Sequence, residues 1–208
     1  MLSDAGSSFK DVVRVKICFK YDSKDPKTGK AFVDHIMEIS KEYIDGTAPV
    51  ITAFAVDLLY PGLDLEIDAM AIIDSGKQIL SPSELGGRYQ PVEFSDGINA
   101  DGEIYVAGQT ALQQGGSVLS PDDIPGQAKE VFQRLNKVLG ETDATLIDVV
   151  KLNLFIVADD HEIEDAFHRV CQVWTEMCPD GHPALTPVRV HELARPGLLI
   201  QADCIAMK

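Results

Sequence analysis

The stretch PGLLIQADCIA at residues 196–206 has a counterpart 135 positions earlier, PGLDLEIDAMA at residues 61–71. A second pair, DVVKL at 148–152 and DVVRV at 11–15, lies 137 positions apart and in the same order. Two blocks that recur at nearly one offset indicate an internal repeat, which has to be recognised before single elements are assigned. The repeat therefore decides how this chain is divided into folding units.

Each copy of the repeat predicts the order strand, helix, strand, strand. Runs rich in β-branched and apolar residues indicate strands, and apolar side chains three or four positions apart indicate a helix. In the second copy the strands are expected at 148–157, 185–193 and 198–207, with a helix from Ile163 to Met177. In the first copy the strands are expected at 13–19, 51–59 and 63–72, with a helix marked by Phe32, Ile36, Ile39 and Tyr43.

The second copy has additional elements in front of it. Residues 88–94 and 102–112 are typical of a hairpin, joined by a turn between Asp96 and Gly102, and a short extra strand is expected near 117–119. A helix follows Ser120–Asp123, because Ile124, Ala128, Val131, Leu135 and Val138 form one apolar face. The complete unit is therefore β-β-α-β-α-β-β.

These patterns predict an α+β chain with a partial domain over residues 1–75 and a complete domain over residues 86–208. Residues 74–85 are expected to be a surface connection. The partial domain, β-α-β-β, lacks the hairpin and first helix, so sheet edges and one apolar face are left uncovered. Three explanations are open: a gene that once encoded two full units, a truncated chain, or a partner that covers the half unit.

Composition narrows the possible functions. The formal net charge of −15 disfavours binding to nucleic acid or to an anionic membrane. No apolar stretch reaches 18 residues and the N-terminus lacks a secretory signal pattern, so neither a membrane span nor secretion is expected. None of the four cysteines forms a CxxC pair, and Cys18 and Cys204 fit small core positions. Reduced cysteines predict a cytoplasmic protein.

The second copy resembles the Rid family, the reactive intermediate deaminases also known as YjgF or L-PSP proteins. The resemblance is carried by Gly87-Arg88-Tyr89, by the run Ile104 to Gln109, by residues 148–155, by Pro183-Ala184-Leu185-Thr186 and by residues 200–206. Each piece is weak alone, whereas the combination is specific. The first copy matches only the second half of the family pattern.

The resemblance implies a fold like that of one class of chorismate mutase, and trimers with clefts between subunits. It implies hydrolysis of small imines or enamines, in which water attacks the C=N carbon and ammonia leaves, with no metal or cofactor. Together with the uncovered half unit, it predicts a homo-oligomer that is trimeric or pseudo-threefold, with a small ligand bound between subunits or domains.

The family's site residues map individually onto this sequence. Its cleft tyrosine corresponds to Tyr89, and its Ser-Gly-Gln segment to Ala107, Gly108 and Gln109. The arginine that holds the substrate carboxylate is replaced by Leu185, next to Thr186, and the water-orienting glutamate by Gln201. The first copy has Ile51 and Glu66 at these two positions, so neither copy supplies the arginine.

A leucine cannot replace a guanidinium that binds a carboxylate bidentately, and a glutamine cannot act as a carboxylate base. Arg88, beside Tyr89, and Arg189, on the same strand face as Leu185, are other candidates to bind an anion. His168 maps near the family's cleft, although a solvated helix histidine fits equally well. Gln109 fits either a cleft contact or a backbone hydrogen bond.

The residues therefore favour a Rid-type enzyme of altered specificity, with Gln201 and Tyr89 as its catalytic residues and the others as binding residues. A non-catalytic ligand-binding or scaffold subunit is the alternative. An endoribonuclease, an activity attached to some family members, is the least favoured because of the acidic charge.

Overall fold

The computed structural model describes residues 2–20, 34–35, 38–39, 48–82, 85, 94–113 and 115–208. Within them lie nine strands and two long helices. The strands are β1 (Val12–Lys20), β2 (Val50–Val56), β3 (Leu65–Ala71), β4 (Lys77–Leu80), β5 (Gly97–Ala100), β6 (Glu103–Thr110), β7 (Val149–Val157), β8 (Ala184–Val190) and β9 (Ile200–Met207); the helices are α1 (Ile124–Gly140) and α2 (Ile163–Met177).

The strands form two sheets. The small sheet has the order β2-β1-β3 and the large sheet the order β4-β5-β6-β9-β7-β8. The α+β fold expected from the sequence is therefore present, and the strands expected around 51–59 and 185–193 are strands. Of the helix expected in the first copy, only residues 34–35 and 38–39 are described, and they are helical. The remaining positions of that helix, including Phe32, Ile36 and Tyr43, lie outside the described residues.

The small sheet repeats the pairing of β7, β8 and β9. β1 pairs in parallel with β2 and antiparallel with β3, as β7 does with β8 and β9. The register shift between Val12 and Arg14 in β1 recurs between Val149 and Lys151 in β7. A capping box closes the short turn before each strand, made by Ser8 with Asp11 and by Thr145 with Asp148. The similar sequences thus form the same local structure.

The hairpin differs from the expected one. The partner of β6 is β5, and the turn between them is Asp101-Gly102, where both residues have positive φ. An Asp-Gly pair favours a two-residue hairpin turn of this kind. The longer turn expected from Asp96 is therefore wrong, because residues 97–100 form β5 instead. Residues 88–93 of the expected first strand lie outside the described residues. Near 117–119 there is a single bridge, Leu112 to Val118, instead of a strand.

The expected surface connection at 74–85 contains a strand. β4 pairs with the free edge of β5, and its Leu80 is buried in the helix-side core. Because Lys77 and Gln78 are polar, the sequence of this strand lacks the apolar pattern by which strands are predicted. It forms because backbone pairing at a sheet edge requires no apolar pattern on the exposed face.

Each face of the large sheet is covered by a different layer. Both helices pack on one face, where Phe132 of α1 meets Trp174 of α2 edge to face at a centroid distance of 5.2 Å. The small sheet covers the other face, which we call the inner face. Phe54 of β2 stacks on Phe155 of β7 at 4.2 Å between ring centroids, while Val13 and Val50 pack with Ile98 and Tyr105.

A buried ion pair joins the two sheets. The Lys16 ammonium lies 3.3 Å from the Asp203 carboxylate and 5.4 Å from the centroid of the Phe155 ring. Asn153 donates a hydrogen bond to the other carboxylate oxygen of Asp203. A carboxylate buried at this depth needs such partners, because burial of an unpaired charge is costly.

We expect Lys16→Met to destabilise the fold by about 2–3 kcal/mol, because Asp203 would lose its counter-charge while it remains buried. Urea unfolding measures the change in the free energy of unfolding. Combining Lys16→Met with Asp203→Asn should recover most of the loss, since the charge is then removed as well. Lys20→Met, on the exposed end of β1, is the control and should change stability by less than about 0.5 kcal/mol. Equal stability of Lys16→Met and this control would contradict the role of the ion pair.

Candidate functional site

A β-bulge in β6 shapes the centre of the inner face. Pairing between β6 and β9 runs from Val106 with Cys204 directly to Gln109 with Ala202, so Ala107 and Gly108 interrupt the ladder. On the β5 side of the same strand, the Ala107 N–H donates to the Asp96 carbonyl at 2.8 Å. Bulges of this kind redirect side chains and are frequent beside functional sites.

Gly108 allows the side chain of Gln201 to lie against the bulge. A Cβ at position 108 would be 2.5 Å from Gln201 Nε2 and 3.1 Å from Thr52 Cγ2. Real Cβ atoms do not approach other atoms that closely. The amide group of Gln201 therefore occupies the space that a side chain at position 108 would need. The bulge of β6, Gln201 of β9 and Thr52 of β2 therefore meet at one point between the two sheets.

Two polar atoms at this point have no hydrogen-bond partner among the described residues. They are Gln201 Oε1 and Thr52 Oγ1, in side chains that belong to residues only 5% and 1% exposed. A buried polar group without a partner costs about 1–3 kcal/mol, and most such groups are satisfied in folded proteins. Each of the two atoms therefore keeps an unused capacity for a hydrogen bond between the sheets.

Gln109 supports the bulge from inside. Its side chain is fully buried, and its amide donates to the Ala107 carbonyl at 3.3 Å. Of the two roles that the sequence left open for Gln109, the structure shows the backbone hydrogen bond. Gln127 of α1 acts in a similar way, since it donates to the Gly197 carbonyl and accepts from the Leu199 N–H, both at 2.8 Å. These bonds anchor the chain just before β9.

The remaining predicted residues on β8 do not join Gln201. Leu185 pairs with Leu152, which faces the helices, so Leu185 lies on the side opposite to Gln201. It is 38% exposed and lines a cavity of about 270 Å³ beside Trp174. Arg189, on the same side, lies 3.1 Å from Asp160 and donates to the Ala158 carbonyl. Thr186 accepts a hydrogen bond from Lys151.

His168 is exposed on α2, with its ring 6.0 Å from that of Phe167. Tyr89 and Arg88 lie outside the described residues. Of the predicted site residues, the structure thus brings together Ala107, Gly108, Gln109 and Gln201, and it separates Leu185, Arg189 and His168 from them.

Thr52 is the residue that sequence reasoning missed. Its position in the small sheet, opposite Lys16, is the position of Thr186 in the large sheet, opposite Asn153. The repeat therefore provided a signal, because a residue equivalent to one predicted site residue was also a candidate. What the repeat did not reveal was that β2 of the first copy faces Gln201 of the second.

The cysteines do not contribute a reactive group to this point. All four are free, and burial raises the pKa of each thiol above its ordinary value. A raised pKa keeps the thiol protonated and poorly nucleophilic. This agrees with the prediction of reduced, structural cysteines.

In the part of the chain that the structure describes, the group of side chains that could together hold a metal ion lies outside this site. Among the described residues, ligand atoms of Asp159, His161 and Glu162 come within 4.8 Å of one another, all in exposed side chains on the turn before α2. Exposed acidic turns of this kind are common without a metal. Within the described ranges, no helix has the length and apolar character needed to cross a membrane.

Comparison with known proteins identifies the second copy. The sequence model of the family described as endoribonuclease L-PSP matches residues 89–208. The chain is 32% identical over 117 residues to the mitochondrial protein mmf1 of Schizosaccharomyces pombe. The matched region covers 55% of this chain and 68% of that protein. It is 30% identical over 115 residues to a RutC family protein of Pyrococcus abyssi, covering 55% and 86%.

The fold agrees with the sequence match. The crystal structure of a YjgF-family protein from Mycobacterium tuberculosis superposes with a TM-score of 0.52 at 25% identity, over 64% of this chain and 99% of that one. The expected resemblance is thereby confirmed: this chain belongs to the Rid family, whose sequence model carries the description endoribonuclease L-PSP.

Proposed function

We propose that this protein hydrolyses a small imine or enamine that is not held through a carboxylate, at the point where Gly108, Gln201 and Thr52 meet. Membership of the Rid family supports imine chemistry. The single observation that carries the proposal is the pair of buried polar atoms, Gln201 Oε1 and Thr52 Oγ1, without partners among the described residues. A small polar substrate and the attacking water would supply those partners.

The reaction needs one water molecule. Its oxygen bonds to the imine carbon while the C=N π electrons move to nitrogen, which gives a carbinolamine. The C–N bond then breaks as the oxygen lone pair forms C=O, and ammonia leaves with the proton that the hydroxyl gives up. Gln201 can accept a hydrogen bond from the water and orient it, but an amide cannot remove its proton. The proton therefore passes to the substrate nitrogen, which becomes the leaving group.

The proposed specificity follows from the charges around Gln201 and Thr52. Leu185 and Ile51 occupy the two positions where the family's carboxylate-binding arginine is expected, and Lys16 is already paired with Asp203. With no unpaired cation among the described residues around this point, burial of a substrate carboxylate would be unfavourable. A neutral substrate fits this site better than a 2-imino acid.

A non-catalytic binding subunit is the second candidate, because Gln201 lacks the charge of the family's glutamate. The two functions differ in whether a bound ligand is turned over. The name of the family also suggests an endoribonuclease, but the net charge of −15 disfavours contact with RNA phosphates. The cytoplasmic location remains a prediction from the free cysteines, while the relative mmf1 is described as mitochondrial.

The division of the chain is part of this proposal. Residues 1–75 are proposed to be a second half of a Rid unit and residues 86–208 a complete one. The equal strand order, the equal register shift and the two capping boxes support it. A homo-oligomer, trimeric or pseudo-threefold, is proposed from an exposed strip on β3. Leu65 and Ile67 are exposed there, whereas Ile200 and Ala202, at the equivalent positions of β9, are buried beneath α1.

We expect the protein to release ammonia from 2-iminopropanamide, generated in situ, faster than the uncatalysed rate. Release from 2-iminopropanoate should be at least about tenfold slower, because a charged hydrogen-bond pair to the carboxylate is missing. A coupled ammonia assay measures both rates, and Gln201→Leu should abolish the first. Equal rates on the two substrates, or a rate on the carboxylate typical of family deaminases, would refute the assigned specificity.

Gly108→Ala should lower the rate on 2-iminopropanamide by about tenfold or more, because the new Cβ would displace Gln201. The matched control is Gly140→Ala at the end of α1, where a Cβ would meet no atom within 4 Å. Circular dichroism confirms that both variants fold. An unchanged rate in folded Gly108→Ala would show that the chemistry occurs elsewhere.

Ile67→Asp should reduce self-association, because Ile67 is 57% exposed on the strip of β3 that the second copy covers with a helix. Light scattering at micromolar concentration gives the mass of each variant. Ile147→Asp, on the turn before β7 and 52% exposed, is the control. A stable monomer for the unmodified chain would refute the homo-oligomer.

A further inference from the structure

Thr52 lies on a strand where an apolar residue would pack equally well. Its neighbours on the same face of β2 are Val50, in a cluster with Ile98 and Tyr105, and Phe54, stacked on Phe155. A threonine between two such anchors buries a hydroxyl, which is unfavourable unless the hydroxyl has a partner. Thr52 is 1% exposed and its Oγ1 has no partner among the described residues. Packing alone therefore does not account for this hydroxyl.

The position of Thr52 is set by contacts within one chain. Beyond it on β2, Ala55 exchanges two backbone hydrogen bonds with the segment after β8, at 3.0 Å to the Glu192 carbonyl and 2.9 Å from the His191 N–H. On the adjacent strand, Lys16 pairs with Asp203, two residues after Gln201 on the same face of β9. Thr52 is thus held over Gly108 by contacts on both sides of it.

We infer that the N-terminal unit completes the site within the same chain, and that Thr52 is a ligand-binding residue that selects a neutral molecule with a hydrogen-bond donor next to an acceptor. An amide N–H₂ of the ligand donates to Gln201 Oε1, and its oxygen accepts from the Thr52 hydroxyl. This inference rests on the proposed site at Gln201 and adds the residue and the ligand chemistry.

The same arrangement fits the intermediate of the proposed reaction. A carbinolamine carries a hydroxyl and an amino group on one carbon, so it presents a donor and an acceptor side by side. Neither Thr52 nor Gln201 is charged, so the pair offers hydrogen bonds but no counter-ion to a carboxylate. Discrimination against an anionic ligand then comes from its desolvation.

The test is an NMR titration of the ¹⁵N-labelled full chain with propanamide, and with propanoate as the charged ligand of equal size. Propanamide should give saturable shifts and propanoate should bind at least about tenfold more weakly. Thr52→Val should weaken propanamide binding roughly threefold to tenfold, as loss of one neutral hydrogen bond does. Thr52→Ser keeps the hydroxyl and should bind as the original chain does.

Thr142→Val is the matched control. Its hydroxyl donates to the Leu139 carbonyl after α1, so its loss should leave propanamide binding unchanged. The inference is overturned if propanamide fails to bind the original chain, if Thr52→Val binds it as tightly, or if Thr52→Ser loses binding to the same extent as Thr52→Val. Failure of ammonia release, with propanamide binding that still depends on Thr52, would refute the proposed hydrolysis and leave this inference standing.

Discussion

The inner face of the large sheet needs a cover that satisfies polar side chains as well as apolar ones. Asn153, Gln201 and Asp203 are buried on it beside Phe155. A purely apolar layer would leave Asp203 without a counter-charge, whereas the small sheet brings Lys16 to 3.3 Å from it. Once this ion pair is made, the stack of Phe54 on Phe155 sets β2 across β7, and Thr52 comes to Gly108. The site is therefore a consequence of how the two sheets are held together.

The bulge in β6 places Gly108, which has no side chain, next to Gln201. In a regular β6–β9 ladder, each inward side chain of β9 would lie beside an inward side chain of β6. The interruption at Ala107 and Gly108 leaves bare backbone there, against which Gln201 lies. Because Gln109 is buried and bonded to the Ala107 carbonyl, the bulge is held in one form. Gln201 Oε1 and Thr52 Oγ1 are both buried away from bulk solvent, and a hydrogen bond made in such surroundings is stronger than one made in water.

In the proposed arrangement, the repeat lets one chain supply both sides of a site that family members are expected to build between subunits. β2 carries at Thr52 the position that β8 carries at Thr186, yet the two threonines have different surroundings. Thr186 is bonded to Lys151 on its own sheet, whereas Arg14, the equivalent of Lys151 in the first copy, pairs with Asp68 of β3 and leaves the Thr52 hydroxyl without a partner among the described residues. The two sets of strands thus have different roles, because the small sheet packs as a layer on the inner face of the large sheet. Leu185 and Ile51 stand at the positions where the two copies would carry the family's arginine.

The sequence alone determined the elements and the family. Strands with strong apolar patterns, such as Val149–Val157, and the helix Ile163–Met177 follow from periodicity, because the burial of each side chain depends mainly on its own element. The strand at Lys77–Leu80 and the Asp101-Gly102 turn were not predicted. Strands at a sheet edge pair through their backbones, and this pairing does not require a recognisable pattern of apolar side chains. Gly108 and Gln201 were named as candidate site residues from the family motif. Only the tertiary structure brought Thr52 to them and placed Leu185 on the opposite face, because contacts between sheets depend on register and layer order, which no local pattern encodes.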